Sequence, residues 1–382
     1  VYTKPFILAA LANFLVFTNL NVYTLLPLYI RDLGGREGQI GSIMAMYSLA
    51  AVACQVGLGP LLDRFGRRRF MLATVGAVAL VSVAFTLVRS LGWYFYLLRL
   101  TQGVAYALFL TSNLALLADL APPSRRAEAV GIFGVSGLVT IAIAPAIGEV
   151  VERAWGFQVL FAGSVVVALA GLAVCIATVV PEAPTVEAPS RLGREFWRTF
   201  TPILATALQF GLANSIVFVF LPPFAQEVGL PRIGPFYIVY TAAAVGVRFF
   251  GGRAADRFGR WQVILPSLVG LTSGVLLFSV LHSTGLLLLI GLINGTSHGF
   301  VYPATSALAV DRAPVGARGR ALAAYNTAAL GGSALGAIGF GWLAQWLGYR
   351  PAYLVAGLVL SLGVLHSLRE RRRARSASAE PV

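Results

Sequence analysis

Gly59-Pro60-Leu61-Leu62-Asp63-Arg64-Phe65-Gly66-Arg67-Arg68 is the stretch on which the fold turns, because its centre recurs in Gly252-Arg253-Ala254-Ala255-Asp256-Arg257-Phe258-Gly259-Arg260-Trp261. Asp-Arg-Phe-Gly-Arg returns after 193 residues in a chain of 382, almost half its length. Each copy follows a long apolar stretch and carries a glycine four residues ahead of its aspartate. A short charged loop at the same point of two hydrophobic halves indicates a duplicated membrane protein.

Outward from the two loops the halves stay in order. At the same offset, Ile40, Gly41 and Tyr47 lie over Ile233, Gly234 and Tyr240. Upstream, at an offset of 195, Asn19 and Leu26-Pro27 lie over Asn214 and Leu221-Pro222. Downstream, at 192, Gln102-Gly103 lies over Asn294-Gly295, Asp119 over Asp311, and Gly156 over Gly348. Small drifts in offset with preserved order are the mark of a diverged duplication.

Composition says what surrounds these halves. Hydrophobic residues make up 58% of the chain and charged residues 12%, with a mean hydropathy of +0.80. A soluble domain carries about 25% charge, so this chain cannot cover a water-facing surface. Apolar runs long enough to cross the bilayer as helices are expected at 5–30, 39–60, 69–89, 92–118, 128–151, 157–180, 200–226, 234–252, 261–281, 284–310, 321–346 and 351–368. The shorter alternating segments of a membrane β-barrel are absent from the pattern. The first run is too long for a cleavable signal and reads as a first span.

The expected architecture is therefore all-α integral membrane, with 12 transmembrane helices in two parallel six-helix repeats. Residues 1–180 form the N-terminal bundle, 181–199 a cytoplasmic linker broken by prolines and charges, 200–368 the C-terminal bundle, and 369–382 a basic cytoplasmic tail. An even number of spans per half makes both enter from one side, as parallel repeats about an axis normal to the membrane. The 190–199 part of the linker is expected as a short amphipathic helix on the membrane surface.

Net charge is +14, and its placement decides what it means. With a cytoplasmic N-terminus, cytoplasmic segments hold 21 of the 29 Lys and Arg residues. That asymmetry follows the positive-inside rule and puts both termini in the cytoplasm. The arginine clusters then meet anionic lipid headgroups rather than nucleic acid. Cys54 and Cys175 fall inside apolar runs as packing residues, without a disulfide or metal pattern.

In each charged turn the chain must end a span, reverse and begin again. Gly66 and Gly259 supply the backbone freedom. The arginines face the negative end of the preceding helix, whereas Asp63 and Asp256 need a cationic or helix-terminal partner. A pair of such turns can act as charged latches on one side of the membrane.

These residues resemble the loop signature of the major facilitator superfamily, Gly-x-x-x-Asp-Arg-x-Gly-Arg-(Arg/Lys). The second copy lacks the final base, with Trp261 in its place. The resemblance covers essentially the whole chain. It implies a secondary transporter, not an enzyme, that works by alternating access between two six-helix bundles and serves a small-molecule substrate. It also implies that Gly59, Asp63, Arg64, Gly66 and Arg67, with Gly252, Asp256, Arg257, Gly259 and Arg260, form a conformational gate with Asp119 and Arg248 as partners. Arg99-Leu100-Thr101-Gln102-Gly103 resembles a second motif of the family, whose arginine is often tied to proton movement. Gly131, Pro145 and Gly148 match part of a glycine–proline motif of drug–proton antiporters, from which Thr140, Ala144 and Glu149 depart.

Ionisable groups at membrane depth are costly and mark function. Glu149, His298 and Arg99 are the proton-coupling candidates, Glu149 first because its repeat-mate is Gly341 in a glycine-rich stretch. A structural Arg99–Glu149 pair, exposure of Glu149 to water and a hydrogen-bonded structural His298 are the competing readings. Substrate-cavity candidates are Asn13, Asn19, Asn21, Gln102, Tyr106, Gln209, Asn214, Asn294, His298, Tyr325 and Asn326. They lie on spans one, four, seven, ten and eleven, and in the family spans one, four, seven and ten line the cavity. Helix-to-helix hydrogen bonding is the alternative for each asparagine.

The function expected is proton-coupled efflux of drug-like, amphipathic or small metabolite compounds across a bacterial inner membrane. One chain suffices, with the proton gradient as energy source and no cofactor or metal. Uptake of a neutral or anionic metabolite, anchored by Arg99, is the alternative. A membrane-embedded enzyme or receptor lacks any nucleophile–base constellation in the spans.

Overall fold

The computed structural model describes residues 3–57, 67–120, 122, 125–178, 194–250, 254–314 and 317–377. The described residues contain helices and connecting turns only. In chain order the helices are α1 (Lys4–Val22), α2 (Leu26–Asp32), α3 (Glu37–Gly57), α4 (Arg67–Leu87), α5 (Tyr94–Leu120), α6 (Arg126–Trp155) and α7 (Phe157–Ala177). They continue with α8 (Arg194–Glu227), α9 (Gly234–Phe250), α10 (Ala254–Phe258), α11 (Arg260–Phe278), α12 (Thr284–Asp311), α13 (Arg318–Leu347) and α14 (Tyr349–Ala377). Nine helical stretches among the described residues are long and apolar enough to cross a membrane.

Several boundaries depart from the apolar runs, for backbone reasons. The first run breaks at a 3-10 turn, Tyr23–Leu25, before Pro27, which cannot donate its missing N–H to the preceding turn. Its counterpart Pro222 lies within the unbroken α8. Residues 194–199, expected as a separate surface helix, are instead the first turns of α8, and the expected tail is helical through Ala377. A helix needs only successive backbone hydrogen bonds, so it runs on into polar sequence that an apolar count leaves out.

The chain divides into two compact units: Val1–Val186 with Pro231–Thr241, and Glu187–Leu230 with Ala242–Val382. Division of the sequence at the linker assigns 231–241 to the second half. The structure packs that segment with the first, for a reason visible at Glu149 below.

In the first unit, Phe6, Ala9, Ala12 and Val16 of α1 share one buried apolar cluster with Met71, Val75 and Val78 of α4 and Ala168 of α7. Large apolar side chains elsewhere point outward, as lipid requires. Leu80, Trp93, Trp155, Phe249 and Trp346 are all exposed, and the three tryptophans stand at helix ends, where the bilayer interface favours them.

One duplicated turn shows how closely the repeats follow each other. Gly156 joins α6 to α7 at φ +82°, and Gly348 joins α13 to α14 at φ +81°. Each donates its N–H back into the helix it ends, to Glu152 O at 2.7 Å and Ala344 O at 2.8 Å. A left-handed single-residue corner needs glycine.

Candidate functional site

The charged turns come first. Gly59, Asp63, Arg64, Gly66 and Gly252 lie outside the described residues, as do the side chains of Arg67, Asp119 and Asp256. In the second repeat Gly259 turns the chain at φ +95° into α11. Arg257 lies exposed, its guanidinium 5.5 Å from the Phe258 ring centroid. Arg260 donates from Nε to Asp311 Oδ2 at 3.2 Å. Arg260 and Asp311 are the repeat-mates of Arg67 and Asp119. The second charged turn thus pairs with the aspartate that aligns with Asp119, whose own side chain lies outside the described residues. Asp311 was legible only through the repeat alignment. The pair is partly exposed, so its worth is at most about 1 kcal/mol. Arg248, in the last turn of α9, is half-buried.

Glu149 lies in α6 and is buried, with 5% of its surface exposed. Its Oε2 accepts from Gly234 N at 2.7 Å and Ile233 N at 3.1 Å, and its Oε1 accepts from Ile233 N at 3.0 Å. Arg153, one turn on, reaches Oε1 at 3.0 Å. The carboxylate therefore caps the first turn of α9 from outside that helix. Each of these hydrogen-bond and ion-pair partners is a donor, and the helix end adds positive potential. Gly234 makes room: a Cβ there would lie 3.1 Å from Oε2 and 3.2 Å from Ala146 Cα. This capping ties 231–241 into the first unit. Glu149 pairs with Arg153 and not with Arg99, and it is buried rather than open to water.

Arg99 stands in the second turn of α5, and Gln102 one turn further on. Arg99 Nη1 donates to Gln102 Oε1 at 2.7 Å, and its guanidinium lies 4.8 Å from the Tyr47 ring centroid. Tyr47 leans on Tyr106, which packs edge-on to Phe17. Tyr47 was aligned with Tyr240 in the sequence but carried no sign of a role beside Arg99.

The asparagines of α1 bridge helices. Asn13 Nδ2 donates to Ser136 Oγ at 2.8 Å and Phe133 O at 3.3 Å. Asn19 reaches Ser82 Oγ at 2.9 Å and Ser164 O at 2.6 Å, and Asn21 reaches Thr140 Oγ1 at 2.8 Å. Tyr23 joins the same serines.

In the second unit, Gln209 donates to Leu360 O at 2.9 Å and Asn214 to Phe210 O in its own helix at 3.0 Å. Asn294 is buried against Gly274. His298 meets the Phe210 ring edge-on at 5.0 Å. Tyr302, which the sequence did not single out, packs on Phe210 and the buried Tyr325 and lies beside Asn326. His298, Tyr325 and Asn326 therefore fall in one aromatic cluster, while Gln209 and Asn214 serve helix contacts.

Paired charged turns, two helical units and buried polar groups inside apolar helices define a membrane transporter. The chain matches the Major Facilitator Superfamily model over residues 6–265 and again over 236–381, and it belongs to that family. It is a multi-pass membrane protein and not an enzyme. It is 24% identical to the staphylopine export protein of Staphylococcus aureus over 94% of each chain. It is 31% identical to multidrug resistance protein MdtG of Citrobacter koseri over 42% of each. Among solved structures, a nucleoside transporter, NupG in its D323A mutant form, superposes with TM-score 0.79 at 16% identity, covering 96% of this chain and 99% of that one. A peptide-bound POT family transporter gives 0.82 at 13% identity, covering 96% and 95%. At such identities these two likenesses concern the fold.

Proposed function

We propose that this protein is a secondary active exporter that moves a small amphipathic or drug-like molecule, or a small metabolite, outward in exchange for protons. It works by alternating access through twelve spans, with both termini cytoplasmic, as a monomer in a bacterial inner membrane. The proton gradient supplies the energy, and anionic lipid meets the cytoplasmic arginines. The observation that carries export is the likeness to the staphylopine export protein along 94% of both chains.

Proton coupling rests on Glu149. A carboxylate gripping two backbone N–H groups and an arginine does so with its charge. Adding a proton removes the charge and turns one acceptor oxygen into a donor facing donors. Protonation from outside therefore frees the start of α9, and loss of the proton restores the grip. Arg153, Glu152 and Tyr237 are the neighbouring groups whose charge or polarity acts on this switch, and Asp32 in turn acts on Glu152.

The test is efflux of a compound panel from an efflux-deficient bacterium expressing the protein, with and without a proton uncoupler. Export that stops on uncoupling, and that loses gradient dependence in Glu149→Gln, is the expected result. Export indifferent to the uncoupler would sink the coupling. Inward accumulation of the same compounds would sink the direction.

A further inference from the structure

Arg99 is buried with 6% of its surface exposed, and among the described residues no carboxylate lies within ion-pair distance of it. Its contacts are an amide oxygen, Gln102 Oε1, and the face of Tyr47. Its Nε is buried and donates to nothing, and neither does the buried Nε2 of Gln102. Burying a cation without a counter-charge is expensive, and a neutral oxygen and a ring face offset only part of that cost.

The second repeat shows that the fold does not need this charge. The repeat-mate of Arg99 is Gly291 and that of Gln102 is Asn294, yet the helix forms there all the same. One positive charge and two unused N–H donors, three residues apart on one helical face, match an anion with two acceptor oxygens. A carboxylate has that geometry and pairs with guanidinium better than any other side-chain-sized acceptor. A cation would be repelled, and a neutral hydroxyl would leave the charge uncompensated.

We propose that Arg99 and Gln102 form a binding site for the carboxylate of the transported solute, with the half-buried Tyr47 ring as the cover that the carboxylate displaces. Arg99 supplies the charge and its Nε donor, and Gln102 the second donor. The identity of the ligand as cargo rests on the export reading. The site itself is testable without transport.

The full chain, purified in detergent, is unfolded by heat in matched concentrations of sodium benzoate, sodium succinate, sodium chloride or benzamide. Benzoate or succinate is expected to raise Tm by about 2 °C or more above chloride, and benzamide is not. In Arg99→Met the carboxylate shift disappears while Tm in chloride is unchanged or higher, because an uncompensated cation has been replaced by an apolar side chain. Gln102→Glu supplies a carboxylate from within, so Tm rises in chloride and added benzoate gives no further shift. This second variant decides the matter if Arg99→Met fails to fold. Equal shifts in chloride and benzoate, or a carboxylate shift surviving in either variant, overturns the site. A carboxylate shift together with export blind to the proton gradient leaves the site standing and sinks only the coupling.

Discussion

The two repeats solve the same packing problem with different chemistry. In the first unit α1 meets α6 through side-chain hydrogen bonds, Asn13 to Ser136 and Asn21 to Thr140. In the second, the equivalent helices α8 and α13 meet backbone to backbone. A Cβ on Gly211 would run into Ala329 O and one on Gly332 into Leu208 O, and one on Gly336 would lie 2.8 Å from Leu212 O. Thr140 and Gly332 occupy the same repeat position. Hydrogen bonds between membrane helices average only about 0.6 kcal/mol, whereas forcing a side chain against backbone costs about 1–3 kcal/mol or more. The first unit is therefore the tolerant half and the second the brittle one.

Exchanging the two residues is the sharpest way to break this contrast. Gly332→Thr is expected to cost more than about 3 kcal/mol and to abolish recovery of monodisperse protein in size-exclusion chromatography. Thr140→Gly, the reverse exchange, is expected to leave the protein foldable with a cost near 1–2 kcal/mol. Equal yields from the two exchanges would refute the contrast.

Next in size is the buried carboxylate Glu149 of the first repeat, whose repeat-mate is Gly341. Glu149→Gln loses charge-assisted bonds worth about 1.5–3 kcal/mol, which should appear as a drop of roughly tenfold or more in gradient-driven efflux. The same loss should free the start of α9 in the glutamine variant, because the grip on Ile233 N and Gly234 N is weakened. Limited proteolysis near residue 231, compared between wild type and variant, would report this release directly.

Gly234→Ala tests the same contact from its other side. The added methyl meets Glu149 Oε2 and Ala146 at just over 3 Å, so a smaller loss of about 1 kcal/mol is expected, with efflux weakened but still dependent on Glu149. The smallest difference concerns the shared corner. Gly156→Ala and Gly348→Ala should each cost about 1–2 kcal/mol, and equally, because their backbones match. Unequal losses of thermal stability would show that the repeats diverge even there.

Much of the fold is legible in the residues, and less of the site. The doubled Asp-Arg-Phe-Gly-Arg and the alignment of Asp119 over Asp311 marked the two positions, but the Arg260–Asp311 contact itself came only with the structure. Asn13, Asn19 and Asn21 were visible as polar groups in an apolar run, but their serine, threonine and carbonyl partners on other helices were not. Tyr47 beside Arg99 and Tyr302 beside His298 were invisible too, because an aromatic residue in a membrane span carries no mark of which helix it faces.

What the sequence alone determined is what depends on local or periodic chemistry: apolar helices, their duplication, the glycine turn at Gly259 and the family. Only the tertiary structure decided the partners of the buried charges. Glu149 is held by backbone N–H groups more than 80 residues further along, and every residue but proline offers such a group. No residue type can announce it. Arg99, conversely, meets no acid among the described residues, and that deficit appears only once the neighbouring helices are in place.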